Sequence, residues 1–241
     1  MMRRALVIAV LVAVAIPLML AMAELPPYGS PDAPTQTHVA PRYLERGFEE
    51  TGAENIVTAV ILNYRGFDTQ GEVTVIFTAM AAVVAVLVLG EARGHTDGRS
   101  SRPSPVPVSV IVRFIVRVMA PFVLLFSAYV VMNGHVTPGG GFQGGTIAGA
   151  LVIALTLVMS EEHARRLTPV RPERLLQAAA PITFFAIGLV GLALTGDYLA
   201  YPHSGSTVWL ATLMLTVVEV GIGVGGAMVI ATIFRTMGAD R

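Results

Sequence analysis

The stretch NGHVTPGGGFQGGT, Asn133 to Thr146, is a polar, glycine-dense island set between long apolar runs, and its reading decides the fold. In a soluble chain such a run suggests a ligand loop. Between two segments able to cross a bilayer it is instead the turn of a transmembrane hairpin, because irregular backbone at membrane depth survives only when buried in protein or lining a watery cavity. Composition selects the second reading: of 241 residues 54% are hydrophobic and only 13% charged, with a mean hydropathy of +0.69. That profile belongs to an all-α, polytopic integral membrane protein.

The island formally contains a dinucleotide fingerprint, Gly139-x-Gly141-x-x-Gly144. No strand precedes it, and Gly145 stands where a P-loop needs its Lys, so a phosphate site is not expected. Cysteine is absent, which excludes disulfides and thiolate chemistry, and the five histidines show no metal-ligand spacing. No cofactor and no resident metal are expected, only transient Na+. The formal charge is zero, all sixteen basic residues being Arg, and no nucleic-acid partner is expected.

Working outward, six spans are expected, beginning with Ala5–Ala23, Asp68–Gly90 and Val108–Met132, and continuing with Thr146–Met159, Leu175–Leu194 and Val208–Phe234. The first also resembles a signal peptide, with Arg3 and Arg4 before it and a small-x-small site at Ala21-Met22-Ala23, but retention as an anchor is the expectation. Glu24–Glu54 carries five prolines and reads as a mostly irregular outer loop with a helical turn at Tyr43–Glu50. Asn55–Tyr64 is apolar but too short to span, and suits an interfacial or re-entrant helix. Asp68 and Thr69 offer N-cap oxygens to the second span, with Glu72 in its first turn. Glu91–Pro107 is a Pro/Ser-rich linker, dividing a two-span piece (1–92) from a four-span piece (108–241) across 93–107.

Arginine counting sets the orientation. Thirteen lie on one side and three, Arg42, Arg46 and Arg65, on the other. The positive-inside rule then puts both termini in the cytoplasm of a plasma-membrane protein and the glycine island outside.

Glu219 is the sharpest single residue, near the middle of the sixth span, where a charge costs about 2.5 to 3.5 kcal/mol. Such a carboxyl serves a proton or cation relay, or makes a structural hydrogen bond at a helix contact. Gly221 and Gly225 beside it have the spacing for close helix packing. His135 either titrates near neutral pH or hydrogen-bonds its own loop. Asp68 and Glu72 are caps or an ion entrance, and Asp197 is ordinary loop chemistry.

The residues also carry a resemblance. MNGHVTPGGGFQGGTIAGAL, Met132 to Leu151, resembles the signature of the B subunit (MnhB) of the Mrp-type multi-subunit sodium/proton antiporters, on positions Asn133, His135, Pro138, Gly139, Gly140, Gly141, Phe142, Gly144 and Gly145. NIVTAVILNYRGFDTQGEVTV, Asn55 to Val75, resembles the C-terminal region of their large A subunit, which is a separate small protein in membrane-bound hydrogenases. Its motif positions are Arg65, Gly66, Phe67, Asp68, Thr69, Gly71 and Glu72. The resemblance implies a small subunit, packed beside other small and large membrane subunits of an antiporter or complex I-like assembly, taking part in Na+ and H+ passage and in docking. The chain has no Lys, unlike the large pump subunits. Three other readings stand beside this one: the same module in a redox-driven complex, a purely structural scaffold, and a stand-alone transporter.

Overall fold

The computed structural model describes residues 2–94, 108–159 and 175–238, and these are helical with no strand. Met1–Glu45 and Arg46–Arg241 form two compact units. In the first, α1 (Met2–Ala23) is apolar on every side, and its described side chains, from Arg4 onward, are all exposed. A helix without a polar face has nothing to give water and belongs in hydrocarbon or against other membrane helices.

A π-helical stretch, Thr35–Val39, then runs directly into α2 (Ala40–Thr51), which crosses the boundary between the units. This contains the helical turn expected at Tyr43–Glu50 and corrects the irregular stretch expected around it, from Thr35 to Thr51. Four of its five prolines, Pro26, Pro27, Pro31 and Pro34, fall before the helix begins. Arg42, Glu45, Arg46, Glu49 and Glu50 are good helix formers spaced for opposite-charge neighbours.

In the second unit, α3 (Ile56–Thr58) passes into a π-helical run, Ala59–Tyr64, as expected for a short non-spanning segment. Then come α4 (Gly66–Gly94), α5 (Val110–Met132), α6 (Gly141–Val158), α7 (Ala179–Thr195) and α8 (Val208–Gly238). Helices α1, α4, α5, α6 and α8 are long and apolar enough to cross a membrane; α7, with 17 residues, is apolar but shorter. Residues 175–177 add a helical turn before a break at Ala178. Several expected boundaries move: α6 starts five residues earlier than Thr146, drawing the island's last glycines into helix, α8 runs on to Gly238, α4 runs from Gly66 to Gly94, and α7 begins at Ala179. The linker from 95 to 107 and the loop from 160 to 174, with Arg165, Arg166, Arg171 and Arg174, lie outside the described residues.

The capping expectation at α4 is corrected. The helix begins at Gly66, so Asp68 and Thr69 are already inside it. Asp68 takes up Arg65 (Nη2–Oδ2 2.6 Å) at an exposed position, and Thr69 Oγ1 donates back to Ile61 O at 2.6 Å, tying α4 to the π-helical run.

Helix α8 is the hub. Helices α4, α5, α6 and α7 all pack on it, and 56% of its span is buried within the protein against 17% for α5. Small residues make this possible on two sides. Gly141, Gly145 and Gly149, four apart on α6, face α8: a Cβ on Gly145 would sit 2.7 Å from Gly223 O. On the α7 side, a Cβ on Gly221 or Gly225 would lie within 2.8 Å of Thr183 or Ala180. Gly144 turns toward α5, where Ser127 Oγ donates to its carbonyl at 2.8 Å. Close backbone approach replaces hydrophobic burial as the source of helix cohesion in lipid. Toward the start of α8, Ala211, Met214, Leu215 and Val218 form a core with Ala59, Leu62, Phe184 and Tyr201.

Candidate functional site

The structure brings the glycine island and Glu219 together, although they are some eighty residues apart. Chain reversal begins at Asn133, which ends α5; its Nδ2 donates to Tyr129 O at 3.0 Å, and its carbonyl accepts from Val136 N and Thr137 N. Gly139 and Gly140 then cross beneath α5, Gly140 N donating to Val130 O at 3.2 Å. Gly140 has φ +137°, a conformation that needs glycine. From there α6 begins at Gly141, and the first N–H groups of a helix have no partner inside it.

Glu219 supplies one. It is 2% exposed, and its Oε2 accepts the backbone N–H of Gly141. A carboxylate from the middle of α8 therefore caps α6 from outside, at the positive end of the helix dipole. The fit depends on missing side chains: a Cβ on Gly134 would lie 3.1 Å from Glu219 Oε1, and one on Gly140 would lie 2.9 Å from Oε2. Oε1 is buried without a hydrogen-bond partner. Such a carboxyl can exchange a proton or meet a cation through Oε1 while Oε2 keeps the fold's hydrogen bond.

Among the described residues two other buried side-chain polar atoms share this condition, His135 Nδ1 and the Tyr201 hydroxyl. Tyr201, 1% exposed, lies in the connection between α7 and α8. Burial first, and then the charge of Glu219, push its phenol above the ordinary range, so it remains a donor. His203 Nδ1 lies 2.6 Å from Tyr201 O and helps fix the loop.

The turn is clamped from above. Asn55 Nδ2 donates to Gly134 O and Thr137 O, each at 2.8 Å, Asn55 N donates to His135 O at 3.0 Å, and Thr58 Oγ1 donates to Gly134 O at 2.6 Å. Asn55 also caps α3, its Oδ1 accepting from Val57 N. The non-helical backbone of the turn is thus paired by protein, the condition irregular backbone must meet inside a bilayer.

Of the other expected site residues, Phe142 packs against the core, Pro138 is exposed, and Gly144 and Gly145 are buried in helix contacts. Asp68 and Glu72 are exposed on α4, and no described contact ties either to Glu219. Among the described residues no three His, Cys, Asp or Glu side chains come together as a metal group. Sequence reading missed Asn55, Thr58 and Tyr201. Asn55 carried a weak signal as a polar cap before an apolar run; Tyr201 carried none.

A family model described as a domain related to the MnhB subunit of Na+/H+ antiporter matches residues 111–230. The B subunit of the Na(+)/H(+) antiporter of Bacillus subtilis (strain 168) is 30% identical over 138 residues, which cover 94% of that protein and 55% of this chain. The chain belongs to the MnhB family. The match contains both the glycine island and Glu219. A second model, the E subunit of MBH, matches residues 2–98 and contains Asn55 and Thr58. The clamp therefore joins the two matched pieces, and the Bacillus relative carries the MnhB piece as a chain of its own.

The A/B subunit of a K(+)/H(+) antiporter from Rhizobium meliloti (strain 1021) is 27% identical over 75% of this chain, which spans only 19% of that longer protein. Two solved structures match 98% of the MnhB-family chain, each with a TM-score of 0.69. One is the membrane-bound sulfane sulfur reductase, an archaeal respiratory membrane complex, at 30% identity over 98% of the matched chain. The other is the Mrp complex from Dietzia sp. DQ12-45-1b, at 26% identity over 26% of the matched chain.

Proposed function

We propose that this chain is an integral membrane subunit of a Mrp-type monovalent cation/proton antiporter complex, and that it serves ion translocation and docking of its neighbours rather than a covalent reaction. The observation that carries the translocation role is the half-satisfied carboxyl of Glu219. One oxygen is committed to α6 and the other is buried and open beside the turn that bears His135. The likeness to the Na(+)/H(+) antiporter protein of Bacillus supports Na+ and H+ as the ions, and the likeness to the K(+)/H(+) antiporter protein of Rhizobium leaves K+ as the competing cation. Both termini are cytoplasmic in this reading and the membrane is the plasma membrane, supported by the bias of arginines. Asp68 and Glu72 are placed on the path only as an exposed entrance, and His135 as a relay neighbour of Glu219.

Glu219→Gln tests the relay in the assembled complex. Gln retains an oxygen to accept from Gly141 N–H but holds no exchangeable carboxyl proton, so assembly is expected to persist while cation-dependent proton flux falls by about a hundredfold or more, on the order seen when a positioned proton-transfer group is lost. Normal flux with normal assembly rejects the relay; loss of assembly favours a scaffold role.

One observation favours a second reading. The likeness to the respiratory complex covers 98% of both chains, so the same two-piece chain occurs there as a single polypeptide. This second reading couples the ion step to electron transfer in other subunits of a redox-driven complex. Co-purification of iron–sulfur proteins with this chain selects the redox complex, and their absence from an active exchanger selects the antiporter.

A further inference from the structure

We propose that the groove between α5, α6 and α8 binds one acyl chain of an anionic phospholipid, with the phosphate held at its arginine end. The groove has a volume of about 420 Å³, is open to the outside, and is walled by apolar side chains including Leu124, Ala128, Leu151, Leu155 and Val224, with Arg235 at one end. Its two hydroxyls are already used: Ser127 Oγ donates to Gly144 O and Thr156 Oγ1 to Val152 O, each at 2.8 Å. Along its length the groove thus offers an occupant shape and apolar contact but no free hydroxyl donor.

Its extent and polarity match one leaflet lipid. From Val220 to Arg235 on α8 is about 22 Å at the rise of an α-helix, more than the ~15 Å of hydrocarbon in one leaflet, so an acyl chain can lie along the wall. Arg235 has an interaction within the protein, and its guanidinium presents several N–H donors around a fixed positive charge. Arg117, exposed on α5 and two turns before Leu124, stands on the same helix face as Leu124 and Val131, continuing that wall toward the basic end. Phe122 and Leu125 on α5 and Leu157 on α6, which do not line the groove, are more than half exposed, as a lipid-facing surface would be. An apolar body with one anionic end is complementary to this distribution.

The test uses the full chain in its assembled complex, in phosphatidylcholine vesicles carrying a phosphatidylglycerol probe with a photoactivatable group on its acyl chain. Adducts are expected to concentrate on Leu124, Ala128, Leu151 and Leu155 over the outward-facing Phe122 and Leu125, and Ala128→Trp should displace them. Arg235→Gln and Arg117→Gln should each lower the preference for the phosphatidylglycerol probe over a phosphatidylcholine one by about fivefold, the scale of one basic residue at an anionic lipid surface. Even labelling around α5 overturns the proposal, as does equal labelling by both probes with the arginine variants silent. Capture of a neighbouring polypeptide by a photoreactive residue at Leu151 also overturns it and assigns the groove to a protein helix. Should Ala128→Trp reduce the yield of complex, the two arginine variants carry the test alone.

Discussion

At the scale of single residues, Glu219 caps α6 through one oxygen and, in the proposed function, relays ions through the other, and substitutions can separate the two roles. Glu219→Leu removes both the acceptor for Gly141 N–H and the open oxygen; losing a hydrogen bond to a charged group costs about 1.5 to 3 kcal/mol, so a lower thermal midpoint of the complex is expected. Glu219→Gln should keep most of that stability. Tyr201→Phe tests whether the buried hydroxyl takes part in ion passage. The ring remains to fill the core, so assembly should be unchanged; a fall in flux of about a hundredfold or more places the hydroxyl on the relay, in the range known for general acid–base groups. Flux equal to that of the parent chain would leave Tyr201 a packing residue.

At the scale of elements, the α5–α6 turn is held by hydrogen bonds from a different part of the chain. Removing the three side-chain bonds with Asn55→Ala and Thr58→Val together should cost about 2 to 4 kcal/mol, at roughly 1 kcal/mol net for each bond. The sharper readout is a chain cut between 94 and 108: the two pieces should co-purify when expressed together, and the double substitution should weaken that association. The α6–α8 contact gives a paired prediction. Gly145→Ala puts a Cβ 2.7 Å from Gly223 O, backbone that has no side chain to yield, and overpacking of this kind costs about 1 to 3 kcal/mol. Gly226→Ala on the same α8 meets nothing within 4 Å and should be neutral or slightly stabilising. Thermal unfolding of the two variants side by side decides whether close packing or mere glycine content matters.

At the scale of the whole molecule, the proposed topology reads six apolar helices as spans and, from the arginine bias, has both termini on the same side. The chain contains no Cys, so single cysteines report sidedness without background. A cysteine at Tyr28, fully exposed after α1, should react with a membrane-impermeant maleimide from outside the cell. One at Met237, exposed near the end of α8, should react only after permeabilisation. The reverse pattern would turn the molecule over and put the glycine turn and Tyr201 on the cytoplasmic half.

What the sequence determined by itself was whatever depends on local pattern. Apolar length located the spans, because one backbone geometry and one bilayer thickness apply to all of them. The island could be read as a turn, since its glycines interrupt two spanning runs, and Glu219 stood out because a carboxyl in such a run is costly anywhere. The helix at Thr35–Thr51 was read only as a turn at Tyr43–Glu50, because the prolines just before it dominate the composition of the whole stretch. Only the tertiary structure decided that Glu219 Oε2 ends on Gly141 N–H, that Asn55 and Thr58 close over Gly134, and that Tyr201 is buried with an unpaired hydroxyl. Those contacts join positions some eighty residues apart through backbone groups, which every residue possesses alike, and so no side-chain pattern in the chain could announce them.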